Sequence, residues 1–293
     1  MRPLDAGRRR RRSLTVTSPR AEASLSVPDI LPSCRHEFPG GTVLVCPRPE
    51  AELLAASRIA DLVRSRTVEG GRVVLGLATG STPIAVYDHL AAWHEAGQLS
   101  FGRVTTYNLD EYYPMSPADP RSYRAFMDRH LFHRVNLAAN QTHLLDGTVP
   151  AAHTGEHCHD FERWIAADGG LDLQLLGLGR NGHIGFNEPA DLPTDQALAL
   201  PTRVVALHPT TRADAMKDFG AEANVPHHAL TMGIAAILAA RSILVLAFGS
   251  GKADAVAQSL VGPISARVPG SLLQTVSSQV TWLVDPAAAS RLF

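Results

Sequence analysis

The sequence predicts a single α/β domain in which a doubly wound, mostly parallel sheet carries helices on both faces. Apolar runs of strand length alternate with segments of helical periodicity throughout residues 40–293. Several of the runs are nearly continuous, as in RVVLGLA (72–78) and RSILVLAF (241–248), which is typical of strands buried on both faces. Neither a repeat nor a linker interrupts this stretch, so one Rossmann-like domain is the most economical interpretation.

The same pattern gives the order of the elements. Strands are predicted at 41–47, 72–78, 103–109, 171–178, 202–207, 241–248 and 279–285. Helices are predicted at 50–65, 83–96, 122–133, 155–167, 212–219, 231–239 and 252–260. The helix at 83–96 begins with Pro83, whose missing N–H costs nothing in a first turn. In a sheet of this kind, ligands bind outside the carboxyl ends of the strands.

Composition excludes several classes of protein. The chain has 293 residues, of which 45% are hydrophobic and 19% charged, as expected for a globular enzyme with a sizeable core. Its net charge of -1 provides no overall field for nucleic acid or membrane binding. No apolar run approaches the ~18 residues of a membrane span. Three cysteines without CxxC spacing favour a reducing, cytoplasmic location over a disulfide framework.

Residues 1–39 differ from the domain predicted at 40–293. Five consecutive arginines, Arg8 to Arg12, precede a stretch with Ser, Thr and Pro, which predicts a disordered extension. The alternative is a targeting segment or an arm that binds nucleic acid. No apolar stretch follows the arginines and no aromatic residues are interleaved with them, so we expect neither a nucleic-acid nor a membrane partner.

Two strand ends carry groups suited to an anion. Thr79, Gly80, Ser81 and Thr82 follow one strand and lead into a helix, where backbone N–H groups, hydroxyls and the helix dipole favour one phosphate monoester. An ordinary helix-capping turn is the alternative. Lys252 opens another helix after a strand, against the dipole, which makes sense if its ammonium faces a bound phosphate.

Two further strand ends carry groups for proton transfer. Asp110 and Glu111 are adjacent carboxylates, one of which could serve as a general base, although a solvated turn is the simpler interpretation of the pair alone. His183 and Glu188 lie in the glycine-rich segment GLGRNGHIGFNEP (177–189). A histidine transfers protons near neutral pH, and a neighbouring carboxylate fixes its tautomer. The four strand ends together predict a pocket for acid–base chemistry on a small phosphorylated molecule.

No metal site and no cofactor are predicted. The segment HTGEHCHD (153–160) has three histidines, but its apolar spacing indicates an amphipathic helix with Cys158 inward and the histidines outward. The pair at 227–228 follows Pro226 and is interpreted as the start of a helix.

Five motifs in this order resemble the glucosamine-6-phosphate deaminase (isomerase) family over residues 42–286: LGLATGSTP, YNLDEYY, GLGRNGHIGFNEP, VPHHALTMGI and FGSGKA. The resemblance implies hydrolytic deamination of glucosamine 6-phosphate to fructose 6-phosphate and ammonia without a cofactor. It implies that His183 opens the pyranose ring, that Glu188 holds His183, and that Asp110 moves the proton between C2 and C1. Glu111 matches the neighbouring carboxylate.

Phosphate binding is implied for residues 79–82 and Lys252, but the sequence departs from the family pattern nearby. The phosphate-site arginine is replaced by Lys217, with Arg212 as the other candidate. Lysine keeps the charge and loses the bidentate fork. Asn181 stands where the best-known form has Asp, and its amide is expected to orient His183 by hydrogen bonding.

The resemblance leaves three matters open. A family lysine of the allosteric site aligns with Val205, while Arg203 is kept, so allosteric activation is not expected. The family allows a homo-oligomer as well as a monomer, with the amino-sugar phosphate as the small-molecule partner. The alternatives are a galactosamine-6-phosphate deaminase, a 6-phosphogluconolactonase-like hydrolase that needs His183 but not Asp110, and a sugar-phosphate-binding regulator without turnover.

Overall fold

The computed structural model describes residues 35–293 and is built around a mostly parallel eight-stranded sheet. The strands in chain order are β1 (Arg35–Phe38), β2 (Gly41–Val45), β3 (Val73–Leu77), β4 (Val104–Asn108), β5 (Asp110–Tyr113), β6 (Thr142–His143), β7 (Leu173–Gly177), β8 (Arg203–Ala206), β9 (His228–Thr231), β10 (Ile243–Ala247) and β11 (Val280–Val284). The large sheet has the order β1-β2-β11-β10-β7-β3-β4-β6, and only β1 pairs antiparallel. The predicted fold class is confirmed.

Helices cover both faces of this sheet. They are α1 (Arg48–Val68), α2 (Ile84–Glu95), α3 (Tyr123–His130), α4 (Thr154–Ala167), α5 (Thr194–Leu198), α6 (Pro209–Phe219), α7 (Ile234–Leu238) and α8 (Ala253–Val261). In β3, Leu75 packs with Ile59 of α1, whereas Val74 belongs to a second core cluster with Phe161 of α4 and Val256 of α8. A strand buried on both sides needs apolar residues at successive positions, and every residue of β3 is buried.

The first strand lies within the segment that the sequence assigned to the N-terminal extension. β1 pairs with β2 in the register Arg35↔Leu44. Its sequence RHEF alternates between exposed and half-buried residues at the sheet edge, so it lacks the apolar run that marks the central strands. Ordered structure therefore starts before residue 40; the rest of the predicted extension, residues 1–34, lies outside the described residues.

A second, three-stranded antiparallel sheet corrects two predictions. Its order is β5-β9-β8. The stretch after β4 was expected to be a turn, but Asp110 to Tyr113 form β5. The pair at 227–228 was expected to start a helix, but His228 begins β9, and α7 starts only at Ile234 rather than at residue 231. Both errors concern strands of four residues, whose extended form depends on partners distant in sequence.

The amphipathic helix predicted around residues 155–167 is confirmed as α4. Cys158, Phe161 and Ile165 are buried on its inner face. Within residues 35–293, no helix combines the length and the apolar character needed to cross a membrane.

We expect Gly233→Ala to destabilise the fold. Gly233 follows β9, and a Cβ there would lie 2.3 Å from the Leu200 carbonyl oxygen and 2.3 Å from the Pro201 carbonyl carbon. These are main-chain atoms, so relief requires a backbone shift, and overpacking of this kind costs about 1–3 kcal/mol of unfolding free energy. Urea denaturation measures the loss.

Gly155→Ala is the matched control for this substitution. Gly155 lies in α4, and no atom would come within 4 Å of its Cβ. Because alanine favours helix, the free energy of unfolding should stay unchanged or rise by up to about 1 kcal/mol. Equal effects of the two substitutions would contradict the close approach at Gly233.

Candidate active site

The glycine-rich loop after β7 is held by its own backbone hydrogen bonds. The Gly179 N–H donates to the His183 carbonyl over 2.8 Å, and the Gly182 N–H donates to the Gly179 carbonyl over 3.0 Å. The Gly270 N–H ties the loop to a neighbouring segment by donating to the Gly182 carbonyl over 2.8 Å. The loop therefore presents its side chains from a defined backbone at the carboxyl end of the strand.

Glycine is required at two positions by the approach of functional groups. A Cβ at Gly179 would lie 2.4 Å from atoms of the His183 imidazole, so the ring packs directly over this residue. Gly185 has a φ of +57°, and a Cβ there would lie 3.1 Å from Thr231 Oγ1 and 3.5 Å from Asp110 Oδ2. The second contact shows that the histidine loop and the carboxylate after β4 belong to one site.

Glu188 is the centre of a hydrogen-bonded group around His183. Its Oε2 lies 3.2 Å from His183 Nδ1 and accepts from Asn181 Nδ2 over 2.9 Å. Its Oε1 accepts from the hydroxyl of Thr211 in α6 over 2.5 Å. Burial alone would raise the pKa of Glu188, but the hydrogen bond and charge of His183, with the bonds from Thr211 and Asn181, outweigh it and lower the pKa.

An ionised Glu188 only accepts hydrogen bonds, so it places a proton on His183 Nδ1. The Nε2 atom is then left for a ligand. The imidazole is partly accessible, with 19% of its side-chain surface exposed. This arrangement can hand a proton to a substrate and take it back.

Asn181 forms a hydrogen bond with His183, but at the backbone rather than at the ring. Its Oδ1 accepts from the His183 backbone N–H over 3.2 Å, and its Nδ2 donates to Glu188. It therefore orients the histidine through the backbone and through Glu188. An amide suits this position because its N–H₂ group donates a hydrogen bond to the Glu188 carboxylate. An aspartate here would instead repel that carboxylate.

Asp110 begins β5 and is almost fully buried. Burial, with the charge of Glu111 as a second cause, raises the pKa of Asp110 to about 8. In the ladder Asp110 is opposite Thr231, whose hydroxyl accepts from the Phe186 N–H over 3.0 Å. The pairing of β5 with β9 thus fixes the distance between Asp110 and the histidine loop.

Glu111, predicted to share the proton chemistry, is engaged in capping α3. Its Oε1 accepts from the N–H groups of Tyr112 and Tyr123 over 2.9 and 3.0 Å, and its Oε2 accepts from the Arg124 N–H over 3.0 Å. Burial raises the pKa of Glu111 to about 7, although these three bonds act in the opposite direction. The two adjacent carboxylates therefore differ: Glu111 secures the helix, while Asp110 faces the site.

The turn at residues 79–82 has the predicted position between β3 and α2. Gly80 adopts a φ of +92°, and Gly80 and Ser81 are exposed. The hydroxyl of Tyr123 forms a hydrogen bond with the Thr79 side chain. The backbone of the turn is thereby open to a ligand at the same sheet edge as Asp110.

Lys252 lies at the same edge, beside other charged groups. Its Nζ donates to the Leu178 carbonyl over 2.7 Å. Burial lowers the pKa of Lys252, and the charges of Asp214, Arg180 and Lys217 also act on it. Sequence reasoning missed Arg180 and Asp214, although Arg180 stands inside the histidine motif.

The two candidates in α6 are separated by the structure. Lys217 shares the neighbourhood of Lys252. Arg212 instead donates to the Glu222 carbonyl over 2.9 Å and lies 3.6 Å from the Glu222 carboxylate. Arg212 thus stabilises the end of α6, and Lys217 is the better candidate for an anion ligand.

Sequence reasoning also missed the support of the histidine loop. Asn187 is buried, and its Nδ2 donates to the carbonyls of Ile184 and Met232 over 3.0 and 2.9 Å. Its Oδ1 accepts from Arg203 over 3.0 Å. The only signal was position, because Asn187 directly precedes Glu188. Over the described part of the chain, no group of three or more His, Cys, Asp or Glu side chains could hold a metal ion.

Comparison with known proteins agrees with these features. Residues 49–282 match the family model described as glucosamine-6-phosphate isomerases/6-phosphogluconolactonase. The glucosamine-6-phosphate deaminase of Halothermothrix orenii is 43% identical over 81% of this chain and 95% of its own length. That of Rhodopirellula baltica is 45% identical over 81% of this chain and 92% of its own length.

Two solved structures are similar in fold. A monomeric glucosamine-6-phosphate deaminase has a TM-score of 0.78 and 38% identity, covering 85% of this chain and 99% of its own. The 6-phosphogluconolactonase of Leishmania guyanensis has a TM-score of 0.67 and covers 86% of this chain and 99% of its own. At 22% identity, the second likeness shows the fold alone.

We expect Asp110→Asn to raise the melting temperature by an amount that grows from pH 5 to pH 8. The pKa of Asp110 is raised from 3.8 to about 8 in the folded protein. The folded state therefore binds more protons than the unfolded state in this window, and the free energy of unfolding falls as the pH rises. The amide of the variant does not titrate, so the variant does not lose unfolding free energy in this way. Each 1 kcal/mol of unfolding free energy corresponds to about 2–4 °C in melting temperature.

Asp191→Asn is the control for this titration, because 89% of the Asp191 side chain is exposed. Its effect on the melting temperature should not vary over the same pH range. A gain for Asp110→Asn that is flat or shrinks with rising pH would show that the carboxyl is ionised in the folded protein at pH 5.

Proposed function

The chain belongs to the family of glucosamine-6-phosphate isomerases and 6-phosphogluconolactonases, and we propose that it is a deaminase that converts glucosamine 6-phosphate and water to fructose 6-phosphate and ammonia. One observation carries the choice within the family. A buried carboxyl, Asp110, lies beside the loop that holds the His183–Glu188 pair. Ring opening and enolisation need two separate proton-transfer groups, whereas lactone hydrolysis has no use for a base at C2.

His183 opens the sugar ring in this proposal. Its Nδ1 proton is directed to Glu188, so Nε2 exchanges a proton with the ring oxygen. Glu188 stabilises the imidazolium that forms, and Thr211 and Asn181 keep the carboxylate in place.

Asp110 then transfers the proton between C2 and C1 of the open-chain sugar. Its raised pKa of about 8 makes it a stronger base once ionised and keeps the proton available for return. Burial also shields the enolic intermediate from water. Glu111 contributes by fixing α3 and, through its charge, by raising the pKa of Asp110.

The phosphate group is assigned to the turn at residues 79–82 together with Lys252 and Lys217. The exposed backbone at Gly80 and Ser81 supplies N–H donors, and the two lysines supply positive charge. The turn follows β3 and Lys252 follows β10, so both lie at the carboxyl edge of the sheet, where Lys252 donates to Leu178 beside the histidine loop.

The location and assembly of the protein are part of the proposal. We place it in the cytoplasm because Cys158 is a free, buried thiol, as expected in a reducing compartment. The family resemblance allows a homo-oligomer as well as a monomer, and a similar solved protein is described as monomeric. Light scattering at assay concentrations distinguishes the two states.

The function is tested by measuring ammonia and ketose phosphate from glucosamine 6-phosphate, with galactosamine 6-phosphate and 6-phosphogluconolactone in parallel. We expect turnover with the first substrate and a loss of about 10²–10⁴-fold in kcat for Asp110→Asn, because a general base contributes that much. Lactone hydrolysis that survives in Asp110→Asn would identify a lactonase. Ligand binding without ammonia release would indicate a regulator.

The position of His183 is tested by Gly179→Ala. The Cβ of an alanine at this position would lie 2.4 Å from the His183 imidazole and would displace it. We therefore expect kcat to fall at least tenfold. Gly177→Ala, at the end of β7, is the matched control, because no atom would lie within 4 Å of its Cβ and its φ is not positive. Equal activities of the two variants would show that the imidazole has room to move.

A further inference from the structure

An ion pair between Arg180 and Asp214 joins the histidine loop to α6, and neither residue takes part in the proposed proton transfers. Arg180 lies between Gly179 and Asn181 in the loop. Its Nε donates to Asp214 Oδ2 over 3.0 Å, and its Nη2 donates to Asp214 Oδ1. Asp214 lies on α6 between Thr211 and Lys217. About half of each side chain is exposed, at 51% and 46%. Exposed pairs of this kind are weak and exchange partners readily.

The pair lies against the cationic groups assigned to phosphate. A Cβ at Gly251 would lie 4.0 Å from Arg180 Cδ, which places the guanidinium stem beside the turn that carries Lys252. The charges of Arg180, Asp214 and Lys217 all act on the Lys252 ammonium. The cluster thus contains three cations, Arg180, Lys217 and Lys252, and the Asp214 carboxylate pairs with the first of them.

A phosphate monoester changes the balance of this cluster. It brings nearly two negative charges, which repel Asp214 and compete with it for the guanidinium. The planar fork of arginine binds two phosphate oxygens at once, whereas an ammonium acts as a point charge. In α6, Lys217 replaces the phosphate-site arginine of the family pattern. Arg180 can therefore supply the planar guanidinium that this site would otherwise lack.

We propose that Arg180 is a further binding residue for the substrate phosphate and that Asp214 holds its guanidinium when the site is empty. When phosphate enters, Arg180 exchanges the carboxylate for two phosphate oxygens. Asp214 then lies three residues from Lys217 on the same helix face, within reach of a pair along α6. The proposal rests on the proposed function for the identity of the ligand.

Inorganic phosphate binding to the full-length protein, measured by calorimetry at fixed ionic strength, tests this role without turnover. We expect Arg180→Met to weaken binding at least fivefold and Arg180→Lys to weaken it less. Asp214→Asn removes the competitor, so it should tighten binding about two- to fivefold. Opposite signs for the two partners are the signature of competition.

Arg163→Met is the matched control. Arg163 pairs with Asp160 over 2.9 Å on α4, with 68% and 34% of the side chains exposed. Its loss should leave phosphate binding unchanged. Weakening by Arg180→Met and Asp214→Asn alike would show that the pair only fastens α6, and it would overturn the proposal, as would an unchanged affinity in Arg180→Met.

Steady-state kinetics with glucosamine 6-phosphate separates this inference from the proposed function. Arg180→Met should raise the KM at least fivefold and change kcat less than twofold. If the wild-type protein binds phosphate but releases no ammonia, the proposed function fails while the calorimetric comparison still decides the role of Arg180. A wild-type protein that binds neither phosphate nor this substrate would overturn the proposal.

Discussion

The site depends on one pairing of short strands. In the antiparallel ladder of β5 and β9, Asp110 lies opposite Thr231. The Thr231 hydroxyl accepts from the Phe186 N–H, and Gly185 leaves room for the Asp110 carboxyl. A shift of register by one residue would turn Asp110 to the other face of the sheet and remove the anchor of the histidine loop. The small sheet is thus the frame that brings Asp110 and the histidine loop together from distant parts of the chain.

The acidic residues of the site are distinguished by their surroundings. Glu188 accepts hydrogen bonds from His183, Thr211 and Asn181, which together outweigh the effect of burial and lower its pKa. Asp110 is buried beside another carboxylate, which raises its pKa to about 8. Both carboxylate oxygens of Glu111 accept hydrogen bonds from backbone N–H groups. Groups whose environments push their pKa values apart can take different roles at one pH, which supports the proposed division between Glu188 as a fixed anion and Asp110 as the group that transfers a proton.

The sequence predicted the parallel core well because each central strand is a continuous apolar run with helices around it. β3 and β10 each end within one or two residues of their predicted bounds. Of the small sheet, only β8 was predicted, as the strand at 202–207. β5 and β9 were not predicted, since each has four residues and gains its extended form by pairing.

Individual roles were harder to predict than membership of the site. Asn181 and Glu111 lie near His183 and Asp110 as expected, yet both accept hydrogen bonds from backbone N–H groups, which no motif reveals. Arg212 and Lys217 are five residues apart on one helix, and only the fold shows that the first meets Glu222 and the second meets Lys252. Hydrogen-bond partners distant in sequence decide such roles.

Helix α6 connects the two ends of the substrate. The Thr211 hydroxyl donates to Glu188 near the start of the helix, and near its end the charge of Lys217 acts on Lys252. Phe219 packs edge-on against Tyr112, two residues after Asp110, with ring centroids 5.1 Å apart. In the proposed site, the lysine that binds phosphate and the threonine that holds Glu188 beside His183 therefore share one helix. In the proposed reaction, this shared support is the route by which binding energy at the non-reacting end of the sugar would orient the reacting groups.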